Sequence, residues 1–281
     1  MTSAIQDQAP AALSVAEQIA EYRARANLHR MLAGAFLEEP SQAYLAGLRS
    51  DEAGQTLQAF GVVFDDDFTK APLPELQETL ACEFAALFLV SGGCPAVESL
   101  RMTGRFQQQP YFETRDFYAR CGFELASARH PVFYDQMGVE LSFMAALLER
   151  AADALEQSNE VGHAQHLKDL KRFWVQHTGR WVRGYSTLLQ QATAHSFFRE
   201  MAKLLAAYAD WELSLLGVKV DDVDQGRLKV PQAEIEYEFD PDEPVCNACE
   251  KDKSDTTELD ALLQTVDISL IEKRLQQKKV V

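Results

Sequence analysis

The stretch Asp135-Gln-Met-Gly-Val-Glu-Leu-Ser-Phe-Met-Ala-Ala-Leu-Leu-Glu149 decides the fold class, because its apolar residues recur at helical spacing. Residues three and four positions apart share one face of a helix, and a continuous apolar face has to be buried. Asp135 stands where an N-terminal capping residue is expected. We therefore predict a buried helix from 135 to 156, whose apolar face is formed by Met137, Leu141, Met144, Ala145 and Leu148.

The same periodicity continues through most of the chain, whereas only 62–64 and 228–230 resemble strands. Ser14-Val-Ala-Glu17 has the pattern of a capping box, which opens a first long helix. Aromatic residues at helical spacing are most simply explained as core. The sequence thus predicts an all-α single helical bundle. Loops are expected at 65–74, 91–110 and 124–134. The further predicted helices are 14–38, 42–49, 51–60, 75–89, 112–121, 181–191 and 197–215, together with one that runs through 167–174.

The chain changes character after Gly217. Residues 221–281 hold 16 acidic and 8 basic side chains, so half of the net charge of −16 lies in this last part. The run Glu234–Glu243 alone contains six acids and no base. Such a composition buries little apolar surface. We predict a helical domain at 1–217 and an acidic, largely irregular C-terminal extension at 218–281, in which 257–275 is able to form one amphipathic helix.

The net charge of −16 disfavours binding to nucleic acid or to anionic membranes and favours a cationic partner such as a basic peptide. No apolar run reaches the roughly 18 residues of a membrane span, and no basic residue precedes Arg23, so we expect neither an anchor nor an export signal. The odd number of scattered cysteines does not resemble a disulfide framework. A cytoplasmic location is the resulting expectation, and the five cysteines are Cys82, Cys94, Cys121, Cys246 and Cys249.

Cys246-Asn-Ala-Cys249 is the sharpest local motif for chemistry. Two thiolates at this spacing can bind one metal ion, form a disulfide or take part in sulfur transfer, and they can equally be two free thiols. Tetrahedral zinc requires two more ligands, and no further cysteine or histidine lies nearby in the sequence. Metal binding at Cys246 and Cys249 therefore stands as one of several open alternatives.

Motifs typical of catalysis are missing from the sequence. It has no Gly-x-Ser-x-Gly nucleophile elbow, no phosphate-binding loop and no dinucleotide-binding glycine pattern. Glu83, Glu140 and Glu149 lie in apolar helices, but a helical di-metal site would also require a Glu-x-x-His pair, which does not occur. His163 and His166 are spaced to share a metal, although a solvated face is the simpler interpretation. We predict no enzymatic activity and no required cofactor, and leave nucleotide or pterin binding open.

Four segments in order resemble the TorD/DmsD family of molybdoenzyme maturation chaperones, which is related to the nitrate reductase delta assembly factors. The similarity extends over most of residues 20–212. The opening stretch resembles the family's Asp-His-x-x-x-Glu-Leu-x-Phe-Met element, with Gln136 where the family often has histidine. The other segments are Glu83-Phe-Ala-Ala-Leu-Phe88 with the following Pro95 and Glu98-Ser99, Glu113 to Gly122, and Phe173-Trp-Val-Gln-His177 followed by Trp181 and by 194–205.

This resemblance implies an all-helical chaperone that binds the twin-arginine signal region, the apo form, or both, of the catalytic subunit of a molybdopterin-dependent oxidoreductase. Cofactor insertion would then finish before export. It makes Asp135 the anionic contact for a basic leader, while the oligomeric state, monomer or homodimer, stays open. Gln136 cannot titrate as a histidine would. The implied client-binding residues are Phe84, Leu87, Phe88, Pro95, Tyr134, Asp135 and Gln136.

Two alternatives to this function remain at the sequence level. One is a delta-type assembly factor, which has the same helical architecture but serves a molybdoenzyme that is not exported. The other is a maturation protein that handles metal or sulfur through Cys246 and Cys249. The first stays open because both branches share this architecture, and the second because the resemblance does not extend to the acidic C-terminal extension.

Overall fold

The computed structural model describes residues 13–90, 92–125, 133–224 and 226, and in these residues the protein is built from helices alone. An isolated antiparallel bridge between Val97 and Gln136 is the one β-type pairing in this part of the chain. The all-α prediction is confirmed. The α-helices are α1 Val15–Phe36, α2 Gln42–Leu48, α3 Asp51–Ala59, α4 Asp66–Thr69, α5 Leu73–Phe84, α6 Glu98–Thr103, α7 Gln109–Arg120, α8 Met137–Glu156, α9 Glu160–Gln176, α10 Val182–Ala192 and α11 Ser196–Leu215, with a π-helical segment at Ala85–Leu89 and a 3₁₀ turn at Thr178–Arg180.

The helices with clear sequence signals begin and end close to their predicted positions. Ser14 Oγ accepts a hydrogen bond from the Glu17 amide, and the Glu17 carboxylate accepts one from the Ser14 amide, so the predicted capping box is present. Gly122 closes α7 with a positive φ of 71°, a conformation in which glycine is favoured.

Two short helices lie where the sequence predicts loops. α4 lies within 65–74, and α6 lies within 91–110. Both are too short for a periodic pattern, so contacts from elsewhere in the chain fix them. Asp67 of α4 accepts hydrogen bonds from the amide and hydroxyl groups of Ser196. The predicted helix 75–89 is α-helical only to Phe84 and continues as the π-helical segment.

α8 is the central helix of the bundle, and it packs along α1 on one side and α9 on the other. Gly138 makes the contact with α1 possible, since a Cβ atom at this position would lie 2.8 Å from the backbone nitrogen and Cα of Leu37. α1 is also held to α11 by a buried network. Arg25 donates two hydrogen bonds, of 2.8 and 2.7 Å, to the Glu212 carboxylate, and Tyr208 donates a third of 2.7 Å.

The aromatic residues that the sequence assigned to the core are buried there. The rings of the last three helices occupy the interior, as predicted, whereas Trp211 on α11 keeps 41% of its surface exposed. None of the helices in the described parts of the chain combines the length and the apolar character that crossing a membrane requires. The fully buried aromatic residues of this region are Phe173, Trp174, Trp181, Tyr185, Phe197, Phe198 and Tyr208.

The chain continues past α11 as an extended segment that lies against the N-terminus of α10. The Asp222 carboxylate accepts hydrogen bonds from the amides of Arg183 and Gly184. These amides lie in the first turn of α10, where an amide has no acceptor within its own helix. Asp224 forms a buried two-bond ion pair with Arg101 of α6. Residues 218–224, which the sequence assigned to the extension, are thus in contact with the bundle. The metal-binding prediction at Cys246 and Cys249, the acidic run, the helix at 257–275 and the strand-like 228–230 lie outside the described residues.

Candidate functional site

Two loops meet at the N-terminus of α8, which is the region that the resemblance assigned to client binding. The Met137 amide donates to the Ala96 carbonyl at 2.8 Å, and the Glu98 amide donates to the Asp135 carbonyl at 2.8 Å. Together with the bridge between Val97 and Gln136, these bonds fasten the loop that precedes α6 to the start of α8. Pro95, which is half-buried, therefore lies next to the start of α8.

Asp135 is fully buried, and its carboxylate caps a helix other than the one predicted. The N-terminal capping position of α8 is held by Gln136, which makes no side-chain capping bond. Asp135 Oδ2 instead accepts a 2.7 Å hydrogen bond from the Ser99 amide, in the first turn of α6. The prediction that Asp135 caps the helix after it is wrong, because the fold places its carboxylate against a helix that begins 37 positions earlier. Burial raises the pKa of Asp135, and the bond from Ser99 opposes that rise.

Gln136 ties the start of α8 to the end of α1. Its Nε2 donates to the carbonyl of Phe36 at 3.1 Å and to that of Leu37 at 3.3 Å. The last carbonyl groups of a helix lack partners within the helix, so these bonds satisfy the C-terminus of α1. Both bonds need a donor, which the amide of glutamine supplies at any pH.

The three apolar residues of the predicted site lie in the core beneath this region. Phe84, Leu87 and Phe88 expose 1%, 5% and 8% of their surfaces. The Phe88 ring contacts the rings of Phe84 and Phe198 at centroid distances of 4.9 and 5.6 Å. The Cys94 amide donates to the Leu87 carbonyl, which fixes the start of the loop that contains Pro95. These three side chains therefore support the paired loops rather than face solvent.

A buried polar cluster adjoins the paired loops, and sequence reasoning did not find it. His177 Nδ1 lies 3.0 Å from Glu98 Oε2, and Thr178 donates a 2.7 Å hydrogen bond to Glu140 Oε2. In the described part of the chain, Glu140 Oε1 and Asp135 Oδ1 have no hydrogen-bond partner. Glu98 lies in α6, Glu140 in α8 and Thr178 in the 3₁₀ turn, whereas Asp135 precedes α8 and His177 joins α9 to the turn. Glu98-Ser99 and His177 belong to two of the segments that carry the family resemblance. Nothing in the sequence indicates that these two segments meet.

The carboxyl groups of this cluster are shifted toward their protonated forms. Burial raises the pKa of Glu140 well above its ordinary value, and the nearby Glu98 carboxylate adds to the rise. Burial also raises the pKa of Glu98, although its bond to His177 opposes the change. Three buried carboxyl groups in one region thus oppose each other's ionisation.

Next to Tyr134, aromatic rings form a partly exposed surface that we call the aromatic platform. The rings of Phe106 and Phe133 are stacked at 5.0 Å, and Tyr111 contacts Tyr134 at 5.3 Å. Phe106 and Phe112 keep 43% and 45% of their surfaces exposed. Exposed apolar groups that touch one another are typical of interaction sites. The platform consists of Phe106, Tyr111, Phe112, Phe133 and Tyr134.

The carboxylates and histidines considered for a metal site do not come together. Glu83 accepts hydrogen bonds from the Ala194 and His195 amides at the turn before α11, and Glu149 pairs with Arg30. His163 Nε2 lies 3.1 Å from the Tyr22 hydroxyl. Among the described residues, no group of three or more His, Cys, Asp or Glu side chains is arranged to hold a metal ion. His130 lies outside these residues.

The fold and this region define an all-helical bundle with an exposed aromatic surface, which is suited to protein recognition. A family model described as the nitrate reductase delta subunit matches residues 42–185, more than half of the chain. The chain belongs to this family, whose members are assembly chaperones of molybdoenzymes. The match confirms the predicted family of maturation chaperones. A comparison with curated proteins found no match.

Proposed function

We propose that this chain is a cytoplasmic, system-specific chaperone for the catalytic subunit of a molybdopterin-dependent oxidoreductase. In this proposal it binds the twin-arginine signal region of the client, its apo form, or both, and releases the client for export after cofactor insertion. It requires no cofactor of its own and catalyses no reaction. The observation that carries the proposal is the aromatic platform beside the start of α8, in a chain of the molybdoenzyme assembly family.

The platform has the chemistry that a twin-arginine leader requires. Such a leader offers a basic segment followed by an apolar one. Aromatic faces attract guanidinium groups and also bury apolar side chains. The platform already contains one contact of this kind, since the Arg115 guanidinium lies 5.3 Å from the centre of the Phe112 ring. The net charge of −16 adds long-range attraction for a basic peptide.

In this proposal the predicted site residues have different roles. Tyr134 belongs to the platform and contacts the client directly. Gln136 and Pro95, which are half-buried, lie in the paired loops next to it. Asp135 acts through α6, because its buried carboxylate holds the Ser99 amide. Phe84, Leu87 and Phe88 form the apolar layer that keeps these loops in place.

Calorimetric titration of a synthetic leader peptide tests the site. The peptide contains two consecutive arginines followed by an apolar segment, and saturable binding to the full chain is expected. Phe106→Ala combined with Phe112→Ala removes the two most exposed rings of the platform. Since stacking contacts of this type contribute about 0.5–2 kcal/mol each, we expect the affinity to fall at least about fivefold.

The matched control is Trp211→Ala, which removes a 41% exposed ring of α11 outside the platform. It should leave peptide affinity within about twofold of the wild-type value, a range that corresponds to less than about 0.5 kcal/mol. Equal losses in the control and in the platform variant would show that the platform is not the site. A peptide with both arginines replaced by glutamine separates the basic contribution from the apolar one.

A second candidate is a delta-type assembly factor whose client is not exported. The description of the matching family, nitrate reductase delta subunit, favours it. The two candidates differ in whether the N-terminus of the client carries a twin-arginine leader that the chain binds. Removal of the first residues of the client abolishes binding if the leader is recognised, whereas binding persists if the chain holds the folded body of an unexported subunit. The alternative that uses Cys246 and Cys249 rests on the sequence motif alone.

A further inference from the structure

A cleft of about 520 Å³ lies between α7 and the end of α9, and none of its lining residues belongs to the aromatic platform. Three arginines line it, Arg120 from α7, Arg172 from α9 and Arg180 from the 3₁₀ turn. This is a concentration of positive charge in a chain whose net charge is −16. Its volume is in the range typical of small-ligand pockets, about 300–1,000 Å³.

The three guanidinium groups are available to a ligand. All three side chains are exposed, and no ion pair joins Arg172 or Arg180 to a carboxylate of the described residues, although Glu98 attracts Arg180 at longer range. The Arg120 guanidinium lies 4.3 Å above the Phe117 ring, which restrains it while leaving its donors free of protein carboxylates. Guanidinium groups bind phosphate oxygens with two parallel hydrogen bonds, which makes arginine well suited to this ligand.

Two acidic residues also line the cleft, and both are already engaged. Asp116 pairs with Arg115 at 2.8 Å, and Glu113 accepts a 2.7 Å hydrogen bond from Gln109. Both of these partners belong to α7 itself, so the two carboxylates are held along their own helix. The three arginines thus outnumber the two carboxylates that line the cleft, and the charge of Asp116 is balanced by Arg115.

His177 provides a second, independent feature of the cleft. It is 3% exposed and lines the cleft, and its Nδ1 is held by the buried Glu98 carboxylate at 3.0 Å. Its other ring nitrogen, Nε2, has no hydrogen-bond partner in the described residues. The bond to Glu98 fixes the orientation of the ring, and Nε2 can donate to an anion when it carries a proton.

We propose that this cleft binds a phosphate-bearing small molecule, with Arg172 and Arg180 contacting phosphate oxygens and with His177, in the form that carries a proton on Nε2, donating a hydrogen bond to the same group. The cleft is limited in volume and combines three guanidinium groups with one oriented imidazole, which suits a compact polyanion better than an extended acidic peptide. The cleft shares no lining residue with the aromatic platform, and this proposal does not depend on the proposed client. The failure of either proposal leaves the other standing.

Calorimetric titration of the full chain with adenosine triphosphate, inorganic tripolyphosphate and adenosine, without divalent cations, tests the proposal. Both phosphate compounds should bind saturably, and adenosine should not bind. Arg172→Ala and Arg180→Ala should each weaken the binding of tripolyphosphate about fivefold or more, because each removes a charge-assisted contact. Both positions are exposed, so the variants are expected to fold, which circular dichroism verifies.

Arg105→Ala is the matched control, because it removes the same charge from an exposed arginine that does not line the cleft. It should change tripolyphosphate binding less than twofold, which is the size of a long-range charge effect. The proposal is overturned if neither phosphate compound binds at low millimolar concentration. It is equally overturned if all three variants weaken binding alike, or if adenosine binds as tightly as its triphosphate.

Discussion

Glu140 is the residue whose ionisation is most strongly opposed by the fold. Its side chain projects from α8, is fully buried, and accepts a hydrogen bond from Thr178. A carboxyl group that is buried in the core destabilises the fold when it is charged. The neighbouring Glu98 carboxylate increases that cost. The free energy of unfolding therefore depends on pH through the ionisation of Glu140.

We expect Glu140→Gln to reduce the pH dependence of stability. The folded pKa of Glu140 is raised, so above the ordinary value of about 4.3 the folded state still holds a proton that the unfolded state has lost. The free energy of unfolding of the wild type therefore falls as pH rises from about 4.3 through the raised pKa. Urea denaturation between about pH 5 and 8 should give a shallower decline for the variant.

Glu98 and Asp135 also have raised pKa values, because both are buried, so some decline should remain in Glu140→Gln. Glu78→Gln is the matched control, since it changes an exposed carboxyl group of α5 and should follow the wild-type dependence. An identical slope in the Glu140→Gln variant and the wild type would contradict the assignment of a buried, protonated Glu140.

Asp135 illustrates which part of the site could be predicted from single residues. Its position before an apolar helix correctly indicated a role at the start of a helix. The identity of that helix was wrong, because the choice depends on the loop pairing of Val97 with Gln136, which has no local signal. The cluster of Glu98 with His177 was missed for the same reason, since these residues lie 79 positions apart.

The contact between α1 and α8 is the element-scale feature that positions the site. Gly138, in the first turn of α8, lets the helix approach the end of α1 closely. Gln136 then reaches the last carbonyl groups of α1. A side chain at position 138 would separate the two helices at the point where the paired loops begin.

We expect Gly138→Ala to destabilise the protein by about 1–3 kcal/mol, because the added Cβ would lie 2.8 Å from Leu37 backbone atoms. Thermal or urea denaturation measures the loss. Gly54→Ala in α3 is the control, since a Cβ there meets no atom within 4 Å. It should be neutral or stabilising by up to about 1 kcal/mol. Equal stability of the two variants would refute the close approach.

The sequence predicted the helices of seven or more residues well and missed the two shortest, α4 and α6. α8, α9 and α11 carry several turns of apolar periodicity, and α1 carries its own capping box, so their signals are local. α4 and α6 have only four and six residues, and each depends on a hydrogen bond from a distant part of the chain. The π-helical end of α5 has no pattern that distinguishes it from an α-helix.

The whole molecule combines an all-helical bundle, a strongly acidic composition and an exposed aromatic platform. The fold class and the family were predictable because they rest on periodicity and on ordered segments spread over the chain. The position of the platform was not, because Phe106, Phe112 and Tyr134 come from segments that the sequence assigned to two loops and to the start of a helix. Only Tyr134 was among the expected contact residues.

We propose that the chain binds the catalytic subunit of a molybdopterin-dependent oxidoreductase before the cofactor of that subunit is inserted. The most direct measurement is affinity purification of the full chain from its native host, with mass spectrometry of the proteins retained and assay of their molybdopterin content. We expect such a subunit in cofactor-free form, at a reduced level with Phe106→Ala/Phe112→Ala. Repeated recovery of no molybdopterin oxidoreductase subunit, with cross-linking included, would contradict the claim.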